Sequence, residues 1–156
     1  MTISTGGCQC GAVRFRVEGE LEDGSICHCR MCQKATGGLF GPYVRAPFAA
    51  VTWTRGEPGY FRSSNTVRRG FCRECGTPLT FEYDEGNISF AVGAMDKPHL
   101  VKLCEQLASP GRIADFAVLA DLPEHPIDEP QAAAHLAGII SFQHPDFDTV
   151  DWSPKT

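Results

Sequence analysis

Phe71-Cys72-Arg73-Glu74-Cys75-Gly76-Thr77-Pro78-Leu79 runs without a break into Thr80-Phe81-Glu82-Tyr83-Asp84-Glu85-Gly86-Asn87-Ile88-Ser89-Phe90-Ala91-Val92. The second half is a hairpin pattern. Leu79, Phe81 and Tyr83 alternate with Thr80, Glu82 and Asp84; Asp84-Glu85-Gly86-Asn87 supplies the turn; Ile88, Phe90 and Val92 alternate back. The first half is a knuckle, two cysteines flanking a tight turn with glycine just after the second. A pair of thiolates presented this way is half of a tetrahedral metal site and requires two more ligands.

The rest of the chain supplies them. Eight cysteines stand among 156 residues, with sixteen glycines and eleven prolines. Seven are clustered: Cys8-x-Cys10, Cys27-x-Cys29-x-x-Cys32 and Cys72-x-x-Cys75. The opening residues, Met1 to Gly7, contain no apolar secretory stretch, so a reducing, cytoplasmic setting is expected, where thiols stay free rather than bridged. Clustered free thiols then read as metal ligands. Cys8 and Cys10 are the simplest partners for Cys72 and Cys75, giving a closed structural zinc site. Cys27, Cys29 and Cys32 remain. Three protein ligands with an open position is the pattern of a catalytic zinc; the alternative is closure by Cys104, His28 or His99. Binding must displace thiol protons, so affinity should fall at low pH.

Around these clusters the pattern is that of short strands. Val13, Phe15 and Val17 share one face and Arg14, Arg16 and Glu18 the other, a half-buried strand. Residues 39–45 and 50–54 read as strands, with Val51 and Trp53 on one face, and 59–72 as extended chain broken near Ser63-Ser64-Asn65. Cys32 to Gly38 reads as a short helical turn stopped by Gly37-Gly38. The fold class is therefore all-β, with one short C-terminal helix from Gln131 to Phe142. Asp128 is its expected cap, Pro130 lies in its first turn, and Leu136, Ile139 and Ile140 are set at helical spacing to pack on the sheet. The expected organisation is a metal-binding domain over 1–127, followed by helix and tail over 128–156.

Hydrophobic residues make up 42% of the chain, enough for a real core, and the net charge of −5 argues against a nucleic-acid partner. No apolar run approaches the roughly 18 residues of a membrane-spanning helix.

The cysteine-bearing segments carry a family resemblance. Gly7-Cys8-Gln9-Cys10-Gly11-Ala12-Val13-Arg14-Phe15, Cys27-His28-Cys29-Arg30-Met31-Cys32 and Phe71 to Leu79 resemble the glutathione-dependent formaldehyde-activating family, which includes centromere protein V-like proteins. Val92-Gly93-Ala94-Met95-Asp96-Lys97-Pro98 and Asp121-Leu122-Pro123 resemble its later turn and closing motif, so the likeness runs from Gly6 to Pro126. It implies an Mss4-like fold, a structural zinc on Cys8, Cys10, Cys72 and Cys75, and a second zinc on Cys27, Cys29 and Cys32. It implies a carbon–sulfur lyase-type reaction that joins glutathione and formaldehyde into S-hydroxymethylglutathione. Departures are Phe116 where the family's tryptophan is expected, Gly37-Gly38 where glycine-alanine is commoner, and the stretch beyond Pro126.

On this reading the chemistry rests on Cys27, Cys29 and Cys32. The glutathione carboxylates need cations, for which Arg30 and Lys34 are nearest in sequence, with Arg68 and Arg69 beside the knuckle; solvated surface charge is the alternative for each. His28 is expected to face outward between its cysteine neighbours. The other histidines lack ligand spacing, and His125 and His144 precede proline, as loop residues do. Trp53, Phe81 and Phe90 are expected in the core, Asp96 at a turn, and Cys104 as a small buried hydrophobe. Two rival functions share the same residues: a non-catalytic zinc scaffold for a protein partner, with a fourth protein ligand closing the triad, and a redox or metal-buffering protein with the triad oxidised.

Overall fold

The computed structural model describes residues 2–83, 86–124 and 130–155. In chain order the strands are β1 (Ile3–Gly7), β2 (Arg14–Glu18), β3 (Gly24–Cys27), β4 (Gly41–Pro47), β5 (Val51–Arg55), β6 (Gly59–Arg62), β7 (Arg68–Phe71), β8 (Pro78–Glu82), β9 (Asn87–Ala91) and β10 (Leu103–Leu107). Helix α1 spans Arg30–Thr36 and α2 spans Pro130–Ala137. The expected hairpin is β8–β9, with Thr80 opposite Phe90 and Phe81 opposite Ser89; its turn residues Asp84 and Glu85 lie outside the described residues. It stands inside a seven-stranded sheet of order β10-β3-β4-β9-β8-β7-β6, in which only β10 and β3 run parallel. The order of the second sheet is β1-β2-β5. The all-β expectation is met, with few and short helices.

The two sheets close on an aromatic centre. Phe15 of β2 stacks on Phe90 of β9 at 4.0 Å between centroids, and Trp53 of β5 meets Phe15 edge-on at 5.9 Å. Val17, Val44, Leu79 and Ile88 are fully buried around them. Trp53 and Phe90 are core residues as expected. Phe81 points to the opposite face of the large sheet, because it is one residue out of phase with Thr80, the partner of Phe90. It is only half-buried there.

Two expectations are corrected. The polar face of β2 is not wholly solvated: Arg14 is 3% exposed. Its guanidinium grips both carboxylate oxygens of Asp96 at 2.7 and 2.6 Å and reaches Asp148 at 2.7 Å. Asp96 also accepts from the Thr5 hydroxyl, and its amide donates to the Thr5 carbonyl, so the turn residue anchors a buried ion pair. Burial raises the Asp96 carboxyl, but Arg14 and Thr5 outweigh it and hold the group below the usual carboxylate range. Thr80 and Glu82 of β8 are buried as well. The Thr80 hydroxyl accepts from Gly70 N and donates to Glu82, whose carboxylate takes the Arg68 guanidinium. Finally, α2 stops at Ala137, next to a glycine, instead of reaching Phe142. Leu136 remains 49% exposed and Ile139 and Ile140 more so, so this stretch does not pack on the sheet. The expected cap, Asp128, lies outside the described residues.

Candidate metal centres

The knuckle and the β1–β2 turn meet where the sheets meet. Cys72 and Cys75 follow β7; Cys8 and Cys10 follow β1. The knuckle closes through Gly76 N to the Cys72 carbonyl at 3.0 Å, with Gly76 at φ +77°, a conformation that glycine adopts without strain. Four sulfurs gather within 4.8 Å of one another. Cys8 and Cys10 are 3.6 Å apart and Cys10 and Cys72 3.8 Å. A tetrahedron with zinc–sulfur bonds near 2.3 Å has edges of about 3.8 Å, whereas a disulfide would draw two sulfurs to about 2.05 Å. All eight thiols are free. The four residues therefore fit a metal ion of zinc's size and preference.

Their surroundings sort the thiols. Burial pushes the Cys8 thiol well above its ordinary value despite the Val13 amide, and burial also raises Cys10. Cys75 goes the other way. Burial alone would raise it, but the Thr77 hydroxyl and the amides of Thr77 and Cys10 outweigh that and bring it down to about 6. Thr77 accepts from Gln9 N at 3.0 Å, which leaves its own proton for Cys75, 3.1 Å away. Metal uptake must therefore expel the proton from Cys8, and binding tightens as pH rises.

A second structure surrounds this site, one that the sequence did not disclose. Beyond the helix the tail returns and straps the β1–β2 turn. His144 N donates to Gln9 O at 2.8 Å and the Trp152 indole to Cys10 O at 2.8 Å. Arg55 donates to Gly11 O and to the Thr149 carbonyl and hydroxyl. His144 is buried, its Nδ1 donating to Pro145 O while Nε2 accepts from the Thr149 hydroxyl. Gly11, at φ +76°, is required: a Cβ there would stand 2.4 Å from the His144 ring. Trp152→Ala is expected to speed metal release from this site to a chelator about tenfold, by loosening the chain that carries Cys10, while the other cluster releases at the wild-type rate. Equal release from both would show the strap to be irrelevant to the metal.

The other cluster forms where β3 turns into α1. Cys27 ends β3, Cys29 is the N-cap of α1 and accepts from Cys32 N at 3.4 Å, and Cys32 lies in the first turn. Their sulfurs also lie within 4.8 Å of one another. Among the described residues no fourth ligand joins them. Cys104 is exposed on the edge strand β10, its sulfur 3.5 Å from Gly24 O, so it is not the buried hydrophobe expected. His99 is exposed. His28 is a further correction: it is fully buried, not outward-facing. The strand ends at Cys27, so alternation no longer governs it. Its Nε2 lies 3.0 Å from Gln106 Oε1 and its ring is wedged edge-on against Phe116 at 4.8 Å, with Phe40 at 6.0 Å. Gln33 braces the same turn, donating to the carbonyls of His28 and Gly111.

Cys27, Cys29 and Cys32 open onto a cavity of about 410 Å³. Its wall is the face of the large sheet opposite the aromatic core. Arg45, Ser89, Phe81 and Arg69 are successive partners across β4, β9, β8 and β7 and so point the same way; Tyr43 stands one step along β4. Arg69 is 7% exposed and crosses the Phe81 ring to reach Cys32 Sγ at 3.4 Å and the Tyr43 hydroxyl at 2.8 Å. Burial pushes the Cys32 thiol up to about 12 in spite of Arg69. Burial also acts to raise Cys29, but hydrogen bonds from the Cys32 and Met31 amides and the neighbouring sulfurs leave it below its ordinary value. Arg30 and Lys34 are exposed on α1 and do not line the cavity; Arg68 is engaged by Glu82. The cations that do line it are Arg69 and Arg45. Alternation along 41–47 was the signal that could have placed Tyr43 and Arg45 together.

Comparison with known proteins adds three findings. Residues 3–107 match the family model described as glutathione-dependent formaldehyde-activating enzyme. An uncharacterized lyase of Schizosaccharomyces pombe is 29% identical over 96 residues, 57% of this chain and 64% of the relative, so the chain spans somewhat less than two thirds of that protein. A crystal structure of a Rhodobacter sphaeroides protein shares the fold at a TM-score of 0.50 and 22% identity, over 64% of this chain and 99% of the other.

Proposed function

The chain belongs to the glutathione-dependent formaldehyde-activating enzyme family, and from that premise we propose that it is a zinc-dependent carbon–sulfur lyase-type enzyme acting on a thiol adduct, with glutathione and formaldehyde as the family-implied pair. The observation that carries this reading is the cluster of three thiols, without a fourth protein ligand among the described residues, lining a cavity. In the same reading Cys8, Cys10, Cys72 and Cys75 hold a structural zinc, Cys27, Cys29 and Cys32 hold a second, residues 1–127 form the metal-binding domain, and 128–156 are its helix and tail. A zinc ion bound at the triad would supply stabilisation of a substrate thiolate near neutral pH and polarisation of a carbonyl oxygen.

The chain's own residues provide the rest. Cys29 and Cys32 are fixed by the first turn of α1, and that turn is braced by Gln33. The cavity offers cations, Arg45 and Arg69, and carboxylates, Glu22, Asp23 and Glu105, as a zwitterionic peptide thiol requires. At about 410 Å³ it lies in the range of small-molecule pockets. Helix amides favour charge on the Cys29 sulfur, and the buried Arg69 guanidinium offsets part of the burial that raises Cys32. The scaffold reading needs the fourth protein ligand that the described residues do not supply. The test is the rate of S-hydroxymethylglutathione formation from glutathione and formaldehyde, followed by exchange spectroscopy on zinc-loaded protein. A rate above the uncatalysed reaction is expected; zinc-loaded protein that adds nothing to that rate would overturn the proposal.

A further inference from the structure

The cavity holds a second chemical feature beside the thiols. The Tyr43 hydroxyl is 9% exposed with its residue and accepts a hydrogen bond from Arg69 at 2.8 Å. One lone pair is thereby engaged, and the phenolic proton has no acceptor among the described residues. Arg69 has five N–H groups, of which three are directed: to the Ser63 hydroxyl, to Tyr43 and to Cys32 Sγ. Its plane is fixed by the Phe81 ring beneath it, 4.8 Å away. Two preorganised donors with hydrogens to spare thus converge beside a cysteine of the triad, in the same cavity.

Resting on the reading above, we infer that the Tyr43 hydroxyl and the Arg69 guanidinium are an oxyanion-binding pair for the aldehyde oxygen, which makes Tyr43 a catalytic residue of carbon–sulfur bond formation and cleavage. In the forward direction the thiolate sulfur pair forms the C–S bond and the C=O π pair moves onto oxygen. The oxygen then takes up one proton from solvent, balancing the proton the thiol released on binding. Nothing is oxidised or reduced, and the reverse sequence cleaves the adduct. The oxygen that gains charge is two covalent bonds from the attacking sulfur. That geometry favours donors next to the triad over donors at the cavity mouth. Donors aimed at developing charge act on the transition state more than on bound substrate.

The pair also has a purely structural explanation, with Arg69 offsetting thiolate charge and Tyr43 capping Arg69. Tyr43→Phe separates the two, because it keeps the ring against Phe81 and removes only the hydroxyl. The expected result is a fall in kcat of about 100- to 1,000-fold in both directions, with zinc content and glutathione affinity by calorimetry unchanged. Arg69→Lys, which keeps the charge and loses the fork, should lower kcat similarly. An active wild-type protein with Tyr43→Phe at the same kcat would overturn this inference and leave the proposed function standing. So would a Tyr43→Phe variant whose loss of rate is matched by loss of zinc. A zinc-loaded wild-type protein without activity would overturn both.

Discussion

Cys72→Ser is expected to leave the chain without a cooperative melting transition, even in zinc-containing buffer. Cys72 is fully buried and Cys8 nearly so, and the four sulfurs join the turn after β1 to the knuckle after β7, one from each sheet. A structural zinc contributes roughly 10–16 kcal/mol of apparent binding free energy, against a total folding stability of about 5–15 kcal/mol for a domain. Losing one of four thiolates therefore puts at risk a contribution as large as the whole folding stability. The same logic sets a pH dependence. The bound form needs thiolates, and Cys8 is held above its ordinary value by burial, so protons compete for it strongly; metal affinity falls as pH falls, and thermal stability falls with it. Near-UV circular dichroism on the variant, and on wild type treated with a chelator, should give the same loss of tertiary signal. A Cys72→Ser protein melting within a few degrees of wild type would show that the site does not hold the fold together.

Cys29→Ser is expected to do the opposite: keep the fold and abolish the reaction. Serine is a favoured N-cap, so the bond that Cys32 N donates to Cys29 Sγ can be replaced and α1 stays capped. The aromatic centre between the sheets and the four-thiol site are untouched. What is lost is one of the three proposed ligands, which no fourth joins among the described residues. The metal there is asked to supply several kcal/mol of charge stabilisation, and each 1.36 kcal/mol is about tenfold in rate, so activity should drop about 1,000-fold or more. Elemental analysis should show one zinc per chain in place of two, with a melting temperature close to that of wild type. Retention of both ions, or activity within tenfold of wild type, would remove Cys29 from the ligand set.

Much of this arrangement is legible in the sequence because it is written locally. The β8–β9 hairpin, the Gly76 knuckle and the alternation of Val13, Phe15 and Val17 are set by neighbours a few residues apart, and the two thiol clusters follow from spacing. What escapes is whatever depends on contacts between distant segments. Arg14 looks like a solvated strand residue until Asp96 and Asp148, far along the chain, come to meet it. His28 looks outward-facing until β3 ends and Phe116 closes over it. Arg69 lies beside the knuckle in sequence but serves the other thiol cluster, because three neighbouring strands carry it across the sheet face to Cys32. The strap of His144, Thr149 and Trp152 has no periodic signature; only Gly11, beside Cys10, hints that something packs close there. In the C-terminal stretch periodicity misled, since Leu136, Ile139 and Ile140 have helical spacing but stay largely exposed.

In the proposed reading Cys27, Cys29 and Cys32 hold a metal with one position open to a thiol. X-ray absorption at the zinc edge, on protein loaded at both clusters and recorded with and without reduced glutathione, reads out that open position. One of the two zinc environments is expected to start with three sulfur ligands and one lighter atom and to gain a fourth sulfur when glutathione is added, while the Cys8, Cys10, Cys72 and Cys75 environment does not change. Four sulfurs at both sites before glutathione is added, or a spectrum indifferent to it, would contradict the claim and identify the triad as a closed structural centre.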